Sequence, residues 1–105
     1  MQYNKRALQD APKVPFNLDG RVMFSSEKIE LVHLLLKPGE QVESHTQPFD
    51  VLFYVLEGTG KLKVGGDLLE AGKDTLVEVK AESQRGWTNS GNNALRLLVV
   101  KIFKS

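Results

Sequence analysis

Cysteine is absent from the 105 residues, which excludes disulfides, thiolate zinc sites, iron–sulfur clusters and any cysteine nucleophile. A site in this chain must work with nitrogen and oxygen. Charge of one sign is also lacking: 14 Lys and Arg stand against 13 Asp and Glu, with both signs scattered. No basic stripe exists to track a phosphate backbone, so nucleic acid is not an expected partner. Long apolar runs are missing too. No window reaches about 18 apolar residues, and residues 1–16 lack the apolar stretch of a signal peptide. The expectation is a soluble, cytoplasmic protein with no membrane contact.

What is present is ordinary globular composition, with 41% hydrophobic and 26% charged residues, far from the signature of disorder. A chain of this length buries one core and not two. We therefore expect one domain over residues 17–105, preceded by an arm over 1–16 that carries Pro12 and Pro15. The arm shows no strand pattern, although residues 5–10 can make one helical turn. A flexible or partner-crossing segment is its simplest reading.

From Arg21 onward, short β-rich runs are cut by Gly, Pro, Asn and Asp, the pattern of an antiparallel sandwich or barrel. Seven or eight strands are predicted, with candidates at 21–25, 28–37, 51–56, 60–64, 67–69, 75–80, 85–88 and 94–103. Their separators include Pro38-Gly39, Glu57-Gly58 and Gly65-Gly66, where Gly supplies positive φ and Pro presets a turn. The runs 29–36 and 95–100 lose strict alternation. Both of their faces are then expected to be covered, which favours a homodimer or a cover from the arm. Lys61, Lys63, Lys73, Lys101 and Lys104 read as solvated faces and edge-strand guards.

The stretch from Pro38-Gly39 through His45-Thr46-Gln47 to Phe53-Tyr54-Val55-Leu56-Glu57-Gly58 resembles the first conserved motif of the cupin superfamily. In that motif a Pro-Gly turn leads to His-x-His, then a Glu, then a Tyr-Val-Leu-x-Gly strand end. The stretch from Val79 to Asn89 looks like the second motif, with Asn89 at the family Asn and Arg85 where the family has its third His. Gly72, which should open that motif, lies about two residues too far upstream, so the match needs a small insertion or a looser alignment there. The two motifs span residues 37–90. The resemblance implies an all-β, cupin-type double-stranded β-helix, or jelly-roll barrel, and strand counting agrees.

A cupin metal site uses three imidazoles and a carboxylate, a set suited to first-row metals. By the motif match, the four positions here are His45, Gln47, Val51 and Arg85. Gln47 offers a poor amide oxygen, Val51 offers nothing, and Arg85 brings a fixed cation to the place of the metal. No cofactor is therefore expected. The weak metal candidates are His45, Gln47 and Asp50, should a divalent ion be recruited from off-motif positions.

If the motif strands alternate as cupin strands do, His45, Gln47, Val51, Phe53, Val55, Arg85, Trp87 and Asn89 point into the barrel. A small-molecule site is predicted at His45, Gln47, Phe53, Arg85, Trp87 and Asn89. Arg85 would receive a carboxylate, phosphate or keto acid, with Asn89 adding a hydrogen bond and Trp87 a flat wall. The alternative for Arg85 is an internal ion pair with Asp50 or Glu43, with Trp87 as ordinary core. His45 would be a remnant ligand, or the general base of a metal-free epimerase or lyase. Tyr54, the nearest acid, points by parity to the opposite face. His33, among leucines, reads as a core or interface histidine. A non-catalytic or vestigial binding protein is the first expectation. A metal-dependent oxygenase or isomerase with an atypical ligand set, or a metal-free enzyme using His45, is the second.

Overall fold

The punctuated β-rich runs leave no stretch long enough for an amphipathic helix. In the computed structural model, which describes residues 1–15 and 17–103, they become strands. Nine form among the described residues: β1 Asp19–Ser25, β2 Ile29–Leu36, β3 Gln41–His45, β4 Asp50–Glu57, β5 Gly60–Val64, β6 Asp67–Ala71, β7 Leu76–Val79, β8 Arg85–Thr88 and β9 Leu95–Ile102. They build two antiparallel sheets, β1-β2-β9-β4-β7 and β3-β8-β5-β6. The result is the all-β double-stranded β-helix, or jelly roll, that the sequence predicts.

Period-two alternation decides which side chains meet between the sheets. In β4, Val51, Phe53 and Val55 are buried, and in β9 Leu95, Leu97 and Val99 are, while their neighbours are half-buried. Val32, Leu34 and Leu36 from β2 join Leu62, Ala71, Val79 and Trp87 in the same core. Truncating one of the fully enclosed leucines, such as Leu36 or Leu97, to Ala would cost about 2–5 kcal/mol.

The turn after β4 needs a glycine. Gly58 sits at φ +81, and a Cβ there would lie 2.4 Å from the carbonyl oxygen of Ala94, so both conformation and space exclude a side chain.

Two expectations change. The segment Gln41–His45 is a strand that the residue pattern conceals, because Val42 is its one apolar residue and most of it is exposed. The arm, expected to be loose or to cross to a partner, closes on its own barrel. Lys13 bridges to Arg21, Val22 N–H donates to the carbonyl of Pro12 (2.8 Å) and Val14 N–H to that of Gly20 (2.9 Å). Arg21 Nη1 adds bonds to the carbonyls of Gln9 (3.1 Å) and Ala11 (3.0 Å). The expected helical turn is a short 3₁₀ turn, Leu8–Asp10. Phe16 and Lys104, assigned from sequence to the arm and to the edge guards, lie outside the described residues. No helix among the described residues is long and apolar enough to cross a membrane.

Candidate functional site

Between the sheets lies a cavity of about 550 Å³, within the range of small-molecule pockets. Its walls are apolar, from Val32 and Leu34 on β2, Val51 and Phe53 on β4, Trp87 on β8 and Val99 on β9. Leu18, Val42 and Phe49 extend them towards the mouth, where Gln41, Glu43, His45, Gln47, Arg85 and Lys101 supply polar atoms. Phe53 and Trp87 meet edge to face at 5.5 Å between centroids and 77° between planes, a favourable aromatic arrangement.

The mouth depends on an irregularity in β3. Val42 pairs with Trp87 and His45 with Arg85, so three steps along β3 match two along β8. The extra residue restores parity: Val42 and His45, which regular alternation would send to opposite faces, both line the cavity. Gly86, between Arg85 and Trp87, makes room for this bulge. A Cβ there would stand 2.8 Å from the Val42 carbonyl oxygen and 3.0 Å from the Ser44 nitrogen.

Arg85 is 2% exposed. Its Nε donates to the carbonyl oxygen of Ser83 at 3.0 Å, but its Nη2 is buried with no hydrogen-bond partner. Burial pushes its pKa down and the Glu82 carboxylate pushes it up; a guanidinium stays charged in either case. The internal ion pair considered from sequence does not form. Asp50 accepts the Ala81 N–H at 2.8 Å and pairs with Lys80 at 3.7 Å, and among the described residues no carboxylate lies within ion-pair distance of Arg85.

Across the bulge, His45 Nδ1 lies 2.9 Å from the carbonyl oxygen of Glu43. A carbonyl only accepts, so Nδ1 carries a proton, and in the neutral imidazole Nε2 is the acceptor.

His45, Gln47, Phe53, Arg85 and Trp87 of the predicted site are thus brought to one cavity. Asn89 is not. It is fully buried, its Nδ2 donates to the carbonyls of Leu36 (2.9 Å) and Asn93 (2.8 Å), and its Oδ1 accepts the Gly91 N–H (3.1 Å). Its amide is spent joining the end of β2 to the loop before β9. Lys101, read from sequence as a solvated guard, instead lines the mouth and pairs with Glu30 at 3.3 Å. Its position in step with Leu95, Leu97 and Val99 carried that signal. Asn17, Gln41, Val42, Glu43 and Phe49 were missed; only the bulge brings Val42 and His45 together, and no composition rule announces it.

The residues at the family's metal positions do not fit a divalent ion. Val51 has no donor, Arg85 places a buried cation there, and Asp50 faces away into its contacts with Ala81 and Lys80. Among the described residues no three His, Asp or Glu side chains converge.

On the outer face of the five-stranded sheet, His33 is 5% exposed, and its Nε2 accepts from Arg96 Nε at 3.1 Å. Burial first, and the Arg96 cation second, lower its pKa, against an opposing effect of Asp19. Tyr54 is on this face as well, its hydroxyl donating to Asp74 at 3.1 Å, so it cannot serve as an acid beside His45.

Comparison with known proteins places this geometry. A 5-nitrosalicylic acid 1,2-dioxygenase from Bradyrhizobium sp is 30% identical over 66 residues, which cover 63% of this chain and 32% of that enzyme. The chain thus spans about a third of its relative's length. Among solved structures, the polyketide cyclase RemF from Streptomyces resistomycificus superposes with a TM-score of 0.85 at 16% identity, covering 98% of this chain and 81% of that one. A predicted oxalate decarboxylase from Thermotoga maritima gives 0.77 at 22% identity, covering 81% of this chain and 79% of that one. These likenesses show the fold. The Cupin_2 family, a cupin domain, matches residues 32–101, from within β2 to one residue short of the end of β9 and including both sides of the cavity mouth, and the chain therefore belongs to the cupin family.

Proposed function

We propose that this cupin barrel binds a small molecule bearing an anionic group, held by Arg85 inside the cavity. The observation that carries the reading is Arg85 itself, a cation in the cavity lining with no carboxylate in ion-pair distance among the described residues and with its buried Nη2 left without a partner. A buried charge lacking a partner is costly, and an anion in the cavity would remove that cost through a charge-assisted hydrogen bond. The name of the Bradyrhizobium relative includes an aromatic carboxylic acid, a ligand of this kind.

The test compares the wild type with Arg85→Met, which keeps most of the volume and deletes the charge. Without ligand, the variant should melt at or above the wild-type temperature, because an uncompensated cation has been removed. A panel of organic acids and sugar phosphates should include members that stabilise the wild type by about 2.7 kcal/mol at a hundredfold excess over Kd and do nothing to the variant. Stabilisation that survives in Arg85→Met, or no stabilisation by any anion, would sink the reading.

A second reading, proton abstraction by a metal-free epimerase or lyase, rests on His45, which is paired with Arg85 across the two strands and lines the same cavity. The same experiment separates the two. His45→Asn should retain binding in both cases, whereas isotope exchange at a carbon next to the carboxylate, seen in the wild type and lost in His45→Asn, belongs to the enzyme alone.

A further inference from the structure

The arm is held to the barrel by few polar contacts. Pro12 and Val14 pair with Val22 and Gly20 through backbone hydrogen bonds. Two arginines add to these: Arg6 Nη1 donates to the carbonyl of Met23 at 3.3 Å, and Arg21 Nη1 donates to those of Gln9 and Ala11. A segment held by few contacts opens before the strand ladders beneath it. Beneath this one lies His33. It shares a groove with Leu8 and Gln9 of the arm, Asp19 and Arg21 of β1, Leu35 of β2 and Arg96 of β9, and it stands opposite Arg21 in the β1–β2 pairing.

The bond to Arg96 fixes the state of that imidazole. Arg96 Nε lies 3.1 Å from His33 Nε2, and a guanidinium only donates, so Nε2 carries no proton. Adding one turns two donors on each other and breaks the bond. It also upsets the charge balance of the groove. Arg21 faces Asp19 at 3.9 Å and Arg96 faces Glu57 at 3.3 Å, two cations against two carboxylates; an imidazolium at His33, which is 5% exposed, makes three against two. The remaining neighbours do not offset it. Leu8 and Gln9 of the arm do not titrate, and the arm's Asp10 and Lys13 are exposed. On the other side β9 sets Leu98 alongside His33, and beyond it the Tyr54 hydroxyl of β4 is bound to Asp74.

A buried charge in excess is relieved by water or by distance from its like. Strands β1, β2 and β9 are neighbours in one ladder, so the wall that can give way is the arm. Arg21 couples the two, being both the cation opposite His33 and the side chain that holds Gln9 and Ala11.

We infer that the N-terminal arm is a pH-released latch: protonation of His33 drives Arg21 off the carbonyls of Gln9 and Ala11, lifts residues 8–14 from β1 and admits water to the groove. Release leaves the Val22 N–H and the Gly20 carbonyl on the edge of β1 without the partners they have now. Burial and Arg96 hold the histidine below its ordinary 6.5, so the docked arm is the form that refuses the proton. Docking is complete above pH 6.5 and is lost as pH falls through the lowered value.

Hydrogen exchange of assigned amides from pH 7.5 to 5, corrected for the pH dependence of intrinsic exchange, follows the arm and the barrel separately. Protection of Val14 and Val22, whose N–H groups make the arm bonds, should fall about threefold or more, and at most about tenfold per pH unit for a single proton. The amides of β9 should keep theirs, and the His33 ring resonances should titrate with the same midpoint as the arm. In His33→Gln, which still accepts from Arg96, the fall should vanish. Asp19→Asn alters a half-exposed side chain that favours the imidazolium, so it should leave the barrel folded and move the midpoint to lower pH.

Arm protection that stays flat while His33 titrates overturns the latch, as does a His33 that takes up no proton by pH 5. Equal loss in β9 would make the barrel, and not the arm, the unit that responds. A midpoint indifferent to both substitutions would assign the release to another group and end the proposal.

Discussion

His33 shows how much of a residue's behaviour is set by what faces it. On β2 it lies opposite Arg21 of β1 and takes a hydrogen bond from Arg96 of β9, with Asp19 as the opposing charge. Burial and Arg96 hold its pKa below the usual 6.5, so the unfolded chain binds a proton that the folded chain refuses. Stability is complete above about pH 6.5 and falls as pH drops through the window between that value and the lowered one. Unfolding free energies from denaturant titrations between pH 7.5 and 5 should fall on acidification by at most about 1.4 kcal/mol per pH unit from this group. His33→Gln, which keeps an acceptor for Arg96 and cannot titrate, should flatten that slope; an unchanged slope would acquit His33. The sequence marked His33 as a core or interface histidine but was silent about Arg96, because partners 63 residues apart are joined only by the strand register. The same limit applies to Asn89. Its inward position followed from parity, yet its bonds to Leu36 and Asn93 depend on where two other segments end.

At the scale of elements, β4 and β9 were readable because alternation of apolar residues is itself the burial signal. Strand β3 was not, since a polar strand beside a cavity mouth buries little and looks like a loop. Its bulge was hidden for the same reason, although Gly86 on the partner strand is its trace. Because a Cβ at Gly86 would meet backbone atoms of Val42 and Ser44 at 2.8 and 3.0 Å, the chain must shift to accept one. Gly86→Ala should therefore cost about 1–3 kcal/mol and weaken anion binding by re-aiming His45 and Arg85. A Cβ on Gly66 would meet nothing within 4 Å, and Gly66→Ala should stay within about 0.5 kcal/mol. Equal effects in chemical denaturation would mean that the bulge does not rely on Gly86.

The whole molecule presents two unlike surfaces. The outer face of the smaller sheet carries Lys61, Lys63 and Glu70, all exposed, with a single exposed leucine, Leu68, among them, whereas the larger sheet turns outward Leu31 and Leu35 from β2, Leu52, Tyr54 and Leu56 from β4, and Leu98 and Val100 from β9. Each of these is half-buried by its neighbours, and Leu76 at the edge is 56% exposed. Strand β9 is the middle strand of that sheet, so the apolar surface is centred and not marginal. The arm covers the β1 side through Ala11 and Pro12, and its Leu8 and Gln9 share a groove with Leu35 of β2 and Arg96 of β9. A largely apolar sheet face, interrupted by the hydrogen-bonded pair His33 and Arg96, favours a partner surface of the same character, and a second copy provides one by two-fold symmetry, each patch serving both roles. The expected assembly is a homodimer joined through β9 and β4, with Leu98 near its axis. Light scattering across a micromolar concentration series should give twice the chain mass, and Leu98→Glu should return the single-chain mass with the barrel still folded, because a charge is tolerated on a solvated face and not in a dry interface. A wild type that stays at the mass of one chain up to the highest concentrations would show that this face remains open to solvent. A dimer unaffected by Leu98→Glu would move the interface elsewhere on the barrel.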